Sequence, residues 1–441
     1  MLQALKRIYS FTSCIIGEAS NASEEFQTFS GIRQGAPSSV LLFIFFMDEL
    51  VSHLQYHCVE EPLLKLLHCL LHADDTAILS TDRELFIKKC NAMLKYFNDH
   101  SLGLNFPKSS YLIINGGDVD IKCDIQLDFG TLVYKPRSIY LGVVVSDTGI
   151  ITNDIDDYIN EKRSNITIKY NNFLHKNYLA PLDVKLMVLD ACVSSTLVYA
   201  CETWGLSKVN QVEVAYRLGL KRALSIREST ITELVYLEAG KYPLYIRITK
   251  QQLNFWLKLN SYLLINPNHP LADLIDYGRR IHLNFISYYD NLVRDFESTK
   301  NCQKQLEMLF DHESQEKIRR EAGIDNDSRL GVYNLINPQL VSPKKRLDVL
   351  ESERIIITRY RIGSHNLSIE KGRLNNPPIP REERLCACQQ DIQSLRHILF
   401  NCPLLTDLYL SFNFTSVNEA MNRIDLFDFL IKMERNLGIS G

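Results

Sequence analysis

No apolar run in this chain exceeds the eight residues 40–47, well short of the roughly 18 needed to span a bilayer. The stretch after the first methionine is amphipathic and carries no long apolar core, so neither a secretory signal nor a membrane partner is expected. Neither sign of charge dominates. There are 49 Lys and Arg against 52 Asp and Glu, a net charge of −3, so composition alone does not announce a polyanion binder. No internal repeat and no low-complexity tract is present, which excludes a collagen-like chain. One further absence is local. No aspartate precedes Asp48, and ahead of Gly31 the only acidic residues are Glu18, Glu24 and Glu25.

What is present reads as a packed protein of about three domains, at roughly 150 residues each. Of its 441 residues 46% are apolar and 23% charged, which excludes disorder throughout and a small disulfide scaffold. Eleven cysteines is an odd number. Cys14, Cys58, Cys69, Cys90, Cys123, Cys192 and Cys302 stand singly in apolar or mixed segments, the pattern of small buried hydrophobes in a reducing compartment. A nuclear or cytoplasmic protein, not a secreted one, is the expectation. Charge is uneven along the chain. Residues 1–154 carry 12 basic and 18 acidic side chains, whereas residues 155–260 carry 14 and 10. A mildly basic middle would suit a surface that tracks a phosphate backbone, but on charge alone ordinary solvated faces explain it better.

Pattern and punctuation divide the chain. Residues 2–10 read as a short helix, 12–17 and 25–30 as strands about a polar turn, and 40–56 as an apolar helix opened by Pro37, Ser38 and Ser39. Two short apolar runs, 66–71 and 76–79, flank a hairpin turn. Residues 84–100 repeat apolar positions at helical spacing and stop near Gly103. Strands follow at 111–115 and 139–145. From about residue 154 the pattern is helical, with long helices expected over 185–203, 211–227 and 244–264. Residues 375–380 read as a stiff connector.

Two segments in the first third hold chemistry-bearing residues. Gly31-Ile32-Arg33-Gln34-Gly35-Ala36-Pro37-Ser38-Ser39 places glycines around an Arg-Gln pair ahead of a helix, where a phosphate or a base edge can be met. By itself the loop reads as a helix cap. His72-Ala73-Asp74-Asp75 sets two adjacent carboxylates between apolar strands, an arrangement whose repulsion a divalent cation relieves. By itself this is a solvated turn.

Together they say more. The Gly-x-Arg-Gln-Gly-x-Pro-Ser loop, with the Ala-Asp-Asp hairpin forty residues after Gln34, resembles the palm of reverse transcriptases. Leu102-Gly103-Leu104-Asn105-Phe106-Pro107-Lys108-Ser109 and Ile139-Tyr140-Leu141-Gly142-Val143 follow in family order. Leu197-Val198-Tyr199-Ala200-Cys201-Glu202-Thr203-Trp204-Gly205 resembles a thumb-region helix of non-LTR (LINE-type) retrotransposon polymerases.

The resemblance implies an α+β fold: a partial right-hand polymerase palm, an antiparallel sheet with helices, over 1–153. A helical thumb-like region would follow over 154–264, a helical linker over 265–374, and a small Cys/His zinc-knuckle-like module with its tail over 375–441. It implies that Asp74 binds catalytic Mg²⁺ with Asp75 as its partner. Arg33 and Gln34 would face the templating pair and the incoming nucleotide, and Gly35 would allow close approach. Lys108 would lie near phosphates, and Leu141 and Gly142 would form the primer grip. The implied chemistry is nucleotidyl transfer by two divalent cations on an RNA template and a DNA primer.

The sequence departs from the family in two places. His72 stands where an aromatic residue, usually tyrosine, is the rule. The family also places a metal-binding aspartate on a strand ahead of the Arg-Gln-Gly loop, and no aspartate stands there. The chain is therefore expected to begin after that motif and to be incompetent as a polymerase by itself. Two alternatives stay open: a non-catalytic nucleic-acid-binding protein, and a polymerase whose missing part comes from a complementing chain or a start codon set further upstream.

Near the C-terminus, Cys386-Ala387-Cys388, His397 and Cys402-Pro403 supply four donors within 17 residues, enough for one tetrahedral Zn²⁺. Buried thiols beside a surface histidine are the alternative. With 385–388 extended, Cys386 and Cys388 would share a face. His397 would stand in the last turns of a helix over 392–400. The resemblance adds that non-LTR retrotransposon proteins often end in a similar segment thought to touch nucleic acid. Arg359-Tyr360-Arg361-Ile362-Gly363-Ser364-His365-Asn366 also looks like that family's tail. Its side chains suit backbone and stacking contacts, or else a solvated helix end.

Overall fold

The computed structural model describes residues 2–439 apart from 11, 18–20, 29–30, 33–34, 59–67, 117–121, 150–152, 206–207, 297 and 343–347. Two compact units result: residues 1–149 with 267–276, and residues 150–266 with 277–441.

The first unit mixes helices with small sheets. Helix Pro37–His57 begins on a proline, whose missing N–H is no loss in a first turn. Helix Arg83–Asp99 begins where Asp82 Oδ1 accepts the Leu85 N–H at 2.8 Å. Met47, Leu50 and Leu54 of the first meet Met93, Tyr96 and Phe97 of the second in a shared core. Among the described residues, Pro37–His57 is the one helix long and apolar enough, by length and composition, to cross a membrane. A search for uninterrupted runs overlooks it, because Asp48 and Glu49 follow the eight apolar residues.

One palm sheet was the expectation. The described strands instead form four separate small sheets, and one of them holds a parallel pair, Ser110–Tyr111 beside Gly130–Tyr134. These strands have two to five residues.

The second unit is helical. Asn153–Lys176 packs on Val209–Ala223, and Leu244–Ile265 packs on Thr299–Ile324. The single helix expected over 185–203 is broken. Leu182–Val188 widens into a π-helical stretch, Leu189–Ser194, and the chain reverses at Ala200 (φ 54°) before Cys201–Trp204. The wide turn turns Asp190 toward the Tyr216 hydroxyl at 3.0 Å and the Lys241 ammonium. All eleven cysteines are free. Cys58, Cys69, Cys90, Cys201 and Cys302 are buried, while Cys14, Cys123 and Cys192 are exposed, against the expectation for isolated thiols.

The segment from Arg359 to Asn366 is neither a nucleic-acid surface nor a solvated helix end, because its polar groups are answered inside the protein. Tyr360 donates to Glu434 at 2.7 Å. Arg361 meets Glu238 at 2.9 Å with both side chains buried, and Arg359 Nε donates to the Ser225 carbonyl at 2.9 Å. Ser364 Oγ and the His365 carbonyl accept the backbone and side-chain N–H groups of Arg227, each at 2.9 Å. His365 stacks on Tyr360, with ring centroids 4.9 Å apart.

Burial, then the charges of Arg227, Arg329 and Arg373, push the His365 imidazole down to about 3. The folded protein thus leaves it neutral while the unfolded chain protonates it near 6.5. Below 6.5 the unfolded state binds the extra proton, so stability falls with pH from 6.5 toward 3. Lowering the pH from 7.5 to 5 is expected to remove about 2 kcal/mol through this residue. Urea unfolding of wild type against His365→Asn, which keeps an acceptor for the Leu367 N–H, measures it. A wild-type-minus-variant difference that does not change with pH contradicts the assignment.

Candidate functional site

The structure gathers chemistry-bearing side chains in two places, one in each unit. In the first unit, strands Cys69–His72 and Asp75–Ile78 pair with His72 opposite Asp75, so Ala73 and Asp74 make a two-residue turn. Ala73 sits at φ 52°, a left-handed backbone that costs a residue with a Cβ roughly 1–2 kcal/mol. Both aspartates are exposed. The buried Lys89 ammonium donates to the Leu79 carbonyl at 2.6 Å and ties the second strand's end to the helix behind it.

A second hairpin stands beside the first. The apolar pattern predicts one strand over 139–145, but the chain turns back between Arg137–Tyr140 and Val143–Ser146. Leu141 (φ 46°) and Gly142 (φ 71°) form the turn. Two left-handed residues in succession match the strands' right-handed twist, and glycine takes the second position without strain. Tyr140, the residue before that turn, lies within electrostatic reach of Asp75 and Cys69 of the first hairpin. Burial first, then the charge of Asp75 and the Cys69 thiol, hold its phenol above the ordinary value. Tyr140 belongs to the 139–143 motif, but no role follows for it from the sequence.

The remaining candidates are spread out. Gly35 lies at φ 82° with open space where a Cβ would stand, so the backbone conformation is what demands glycine. Lys108 is exposed at the end of the short turn Phe106–Lys108, its N–H held by Asn105 Oδ1 at 3.3 Å. Arg33 and Gln34 lie outside the described residues. Among the described residues, no hydrogen bond or ion pair ties Gly35 or Lys108 to Asp74 or Asp75.

In the second unit, Cys386, Cys388, His397 and Cys402 place all four donor atoms within 4.8 Å of one another. Cys386 and Cys388 are not on an extended strand. After the bridge Leu385–Ile392 they lie in a tight turn, with Gln389 at φ 61°. The turn folds because the Cys386 N–H donates to the Asp391 carbonyl and the Gln389 N–H to the Cys386 carbonyl, each at 2.8 Å. His397 opens a π-helical turn, His397–Asn401, which returns Cys402 to the cluster. The Cys402 N–H is held by the Tyr409 hydroxyl at 2.7 Å.

The donor set fits a tetrahedral ion. Cys386 and Cys402 sulfurs are 3.7 Å apart, and Cys388 Sγ is 3.3 Å from His397 Nε2. Bonds of about 2.3 Å to sulfur and 2.0 Å to nitrogen require edges of roughly that length. Each sulfur also receives a backbone N–H from two residues on: Cys388 to Cys386, Gln390 to Cys388 and Leu404 to Cys402. Such donors stabilise thiolates. Burial nonetheless pushes the Cys402 thiol up to about 12, so an ion must displace its proton on binding. Cys386, His397 and Cys402 are buried, and both of those cysteines join one core with Ile398, Leu405, Phe429 and Met433.

Comparison with known proteins bears on the first unit. Residues 3–145 match the family described as reverse transcriptase (RNA-dependent DNA polymerase). The match covers both hairpins and ends just before the first unit does, at Gly149. No curated protein matches the chain. Reverse transcriptases use divalent metal and bind an RNA template and a DNA primer. Among the described residues of the first unit, however, the donors that converge do not suffice for a pair of such ions. Holding two ions takes more donors than two adjacent carboxylates. Among the described residues, the Cys/His cluster is the one place where three or more His, Cys, Asp or Glu donors converge. Of the early acidic residues, Glu25 bonds Ser13 in its own hairpin, Glu24 is exposed, and Glu18 lies outside the described residues.

Proposed function

We propose that this chain descends from the RNA-directed DNA polymerase of a LINE-type retrotransposon and does not extend primers by itself. The observation that carries the reading is the hairpin pair within the matched stretch. Asp74 and Asp75 stand at one tip, and no third acidic donor converges there among the described residues. Asp74 and Asp75 would bind Mg²⁺ in a complete site, and Leu141 and Gly142 would grip a primer end. Arg33, Gln34, Gly35 and Lys108 would meet nucleotide and template. A site short of a carboxylate loses several kcal/mol of transition-state stabilisation.

Primer extension tests this directly, with the purified chain, Mg²⁺ and a homopolymer RNA template. The expected result is no extension by the chain alone. Robust extension that Asp74→Asn abolishes would sink the reading. Extension that returns only when a segment carrying the missing aspartate is added would identify a complementing chain.

The same reading assigns Cys386, Cys388, His397 and Cys402 to one Zn²⁺. Four protein ligands close the coordination sphere, so the ion serves structure and leaves no open position for chemistry. Its ligands are built into a hydrophobic core and are not displayed on a free knuckle. A second reading, a non-catalytic nucleic-acid-binding protein, draws on the 14 basic residues of 155–260. Single-stranded RNA binding that weakens steeply with salt is its signature, and no binding at low salt would count against it.

A further inference from the structure

His397 carries an unanswered ring nitrogen. Its Nε2 faces Cys388 Sγ at 3.3 Å, which leaves Nδ1 on the opposite side of the ring, buried and without a hydrogen-bond partner. A buried imidazole nitrogen in that state is costly. A carboxylate stands near it. Asp391 Oδ2 is 3.7 Å from His397 Nδ1.

Asp391 is placed there by the same turn that delivers the first two cysteines. Its carbonyl accepts the Cys386 N–H at 2.8 Å. Its own N–H reaches the Cys388 sulfur. Its Oδ1 accepts the Ile392 N–H at 2.7 Å, so Oδ2 is the oxygen left for the histidine. Residue 391 thus touches two ligand cysteines through its backbone and faces the ligand histidine with its side chain.

We propose that Asp391 is the positioning residue of the metal centre. Closing a gap of roughly 1 Å makes Oδ2 the acceptor of an Nδ1–H hydrogen bond. A neutral imidazole holds one proton, so a donor at Nδ1 leaves the Nε2 lone pair free for the ion. The carboxylate also fixes the ring's rotation and raises the basicity of Nε2. The inference rests on the reading that the cluster holds metal. Sequence alone hides it, because Asp391 lies among Gln389, Gln390 and Ile392 with nothing to distinguish it from a solvated loop.

Zinc affinity of the full chain, measured by chelator competition, tests the proposal with Asp391→Ala and Asp391→Asn. Asp391→Ala is expected to bind about 10–100-fold more weakly. Asp391→Asn keeps an acceptor oxygen and is expected to stay within about threefold of wild type. The Co²⁺-loaded alanine variant should show shifted d–d bands, while the metal-free forms of all three chains unfold at the same midpoint. An alanine variant that binds within about twofold of wild type overturns the proposal and leaves the metal centre standing. So does a loss of affinity matched by an equal loss of metal-free stability, or an asparagine variant as weak as alanine. A wild-type chain that takes up no zinc overturns both readings.

Discussion

Stripping zinc from the purified chain is expected to lower the unfolding midpoint of the second unit by roughly 10 °C. An ion that binds only the folded state stabilises it by about 4 kcal/mol when its free concentration is a thousand times its dissociation constant. At this size each kcal/mol shifts the midpoint by roughly 2–4 °C. The effect is large because the donors are integral to the core. Cys386 and Cys402 pack with Leu405, Phe429 and Met433, and His397 with its π-helical turn brings the two cysteine-bearing segments together. Without the ion, protonated thiols and an imidazole crowd one another in a dry interior. Cys402→Ser should reproduce the loss and abolish the chelator's effect, whereas Cys123→Ser, at an exposed thiol of the first unit, should change neither. A midpoint that ignores the chelator while bound zinc is measurably removed would refute the structural role.

Arg361→Met is expected to cost the second unit about 3–5 kcal/mol. Arg361 and Glu238 form a buried pair at 2.9 Å, and the guanidinium also donates to the Met421 carbonyl at 3.1 Å. Burial disfavours the guanidinium's charge, but Glu238 more than offsets this and raises its pKa. Removing the cation strands the carboxylate, whose remaining partner among these groups is the Tyr333 hydroxyl at 3.1 Å. An uncompensated buried charge of this kind is what makes breaking such pairs costly, even where the intact pair adds little net stability. Arg361→Lys should recover little, because one ammonium cannot serve both Glu238 and the Met421 carbonyl in the guanidinium's geometry. The double variant Arg361→Met with Glu238→Gln should regain most of the loss. Denaturant unfolding measures all three, and a single variant within about 1 kcal/mol of wild type would remove the pair from the account.

The long helices were legible because their cause is local. Apolar spacing and Pro37 predict the helices that now stand at Pro37–His57 and Arg83–Asp99. The hairpin around Asp74 was legible for the same reason, since two short apolar runs flank a turn. Apolar periodicity also suggested a single helix over 185–203, but it could not foresee the π-helical turn. In that turn Asp190 meets Tyr216 and Lys241, residues far along the chain. The segment from Arg359 to Asn366 misled for a related reason. Arginine, tyrosine and histidine look alike in a sequence whether they await a nucleic acid or are spent inside the protein.

By itself the sequence determined the kinds and spacings of chemical groups: the Arg-Gln loop, the paired aspartates, the Leu-Gly turn and the three cysteines with one histidine. These follow from residue identity and short-range geometry, and they sufficed to point to the reverse-transcriptase family. The tertiary structure decided which groups meet. It set Tyr140 within electrostatic reach of Asp75, buried Arg361 against Glu238, and built the Cys/His cluster into a core with Asp391 behind its histidine. Those outcomes depend on contacts between residues distant in sequence and on exclusion of water, and neither leaves a local pattern to read.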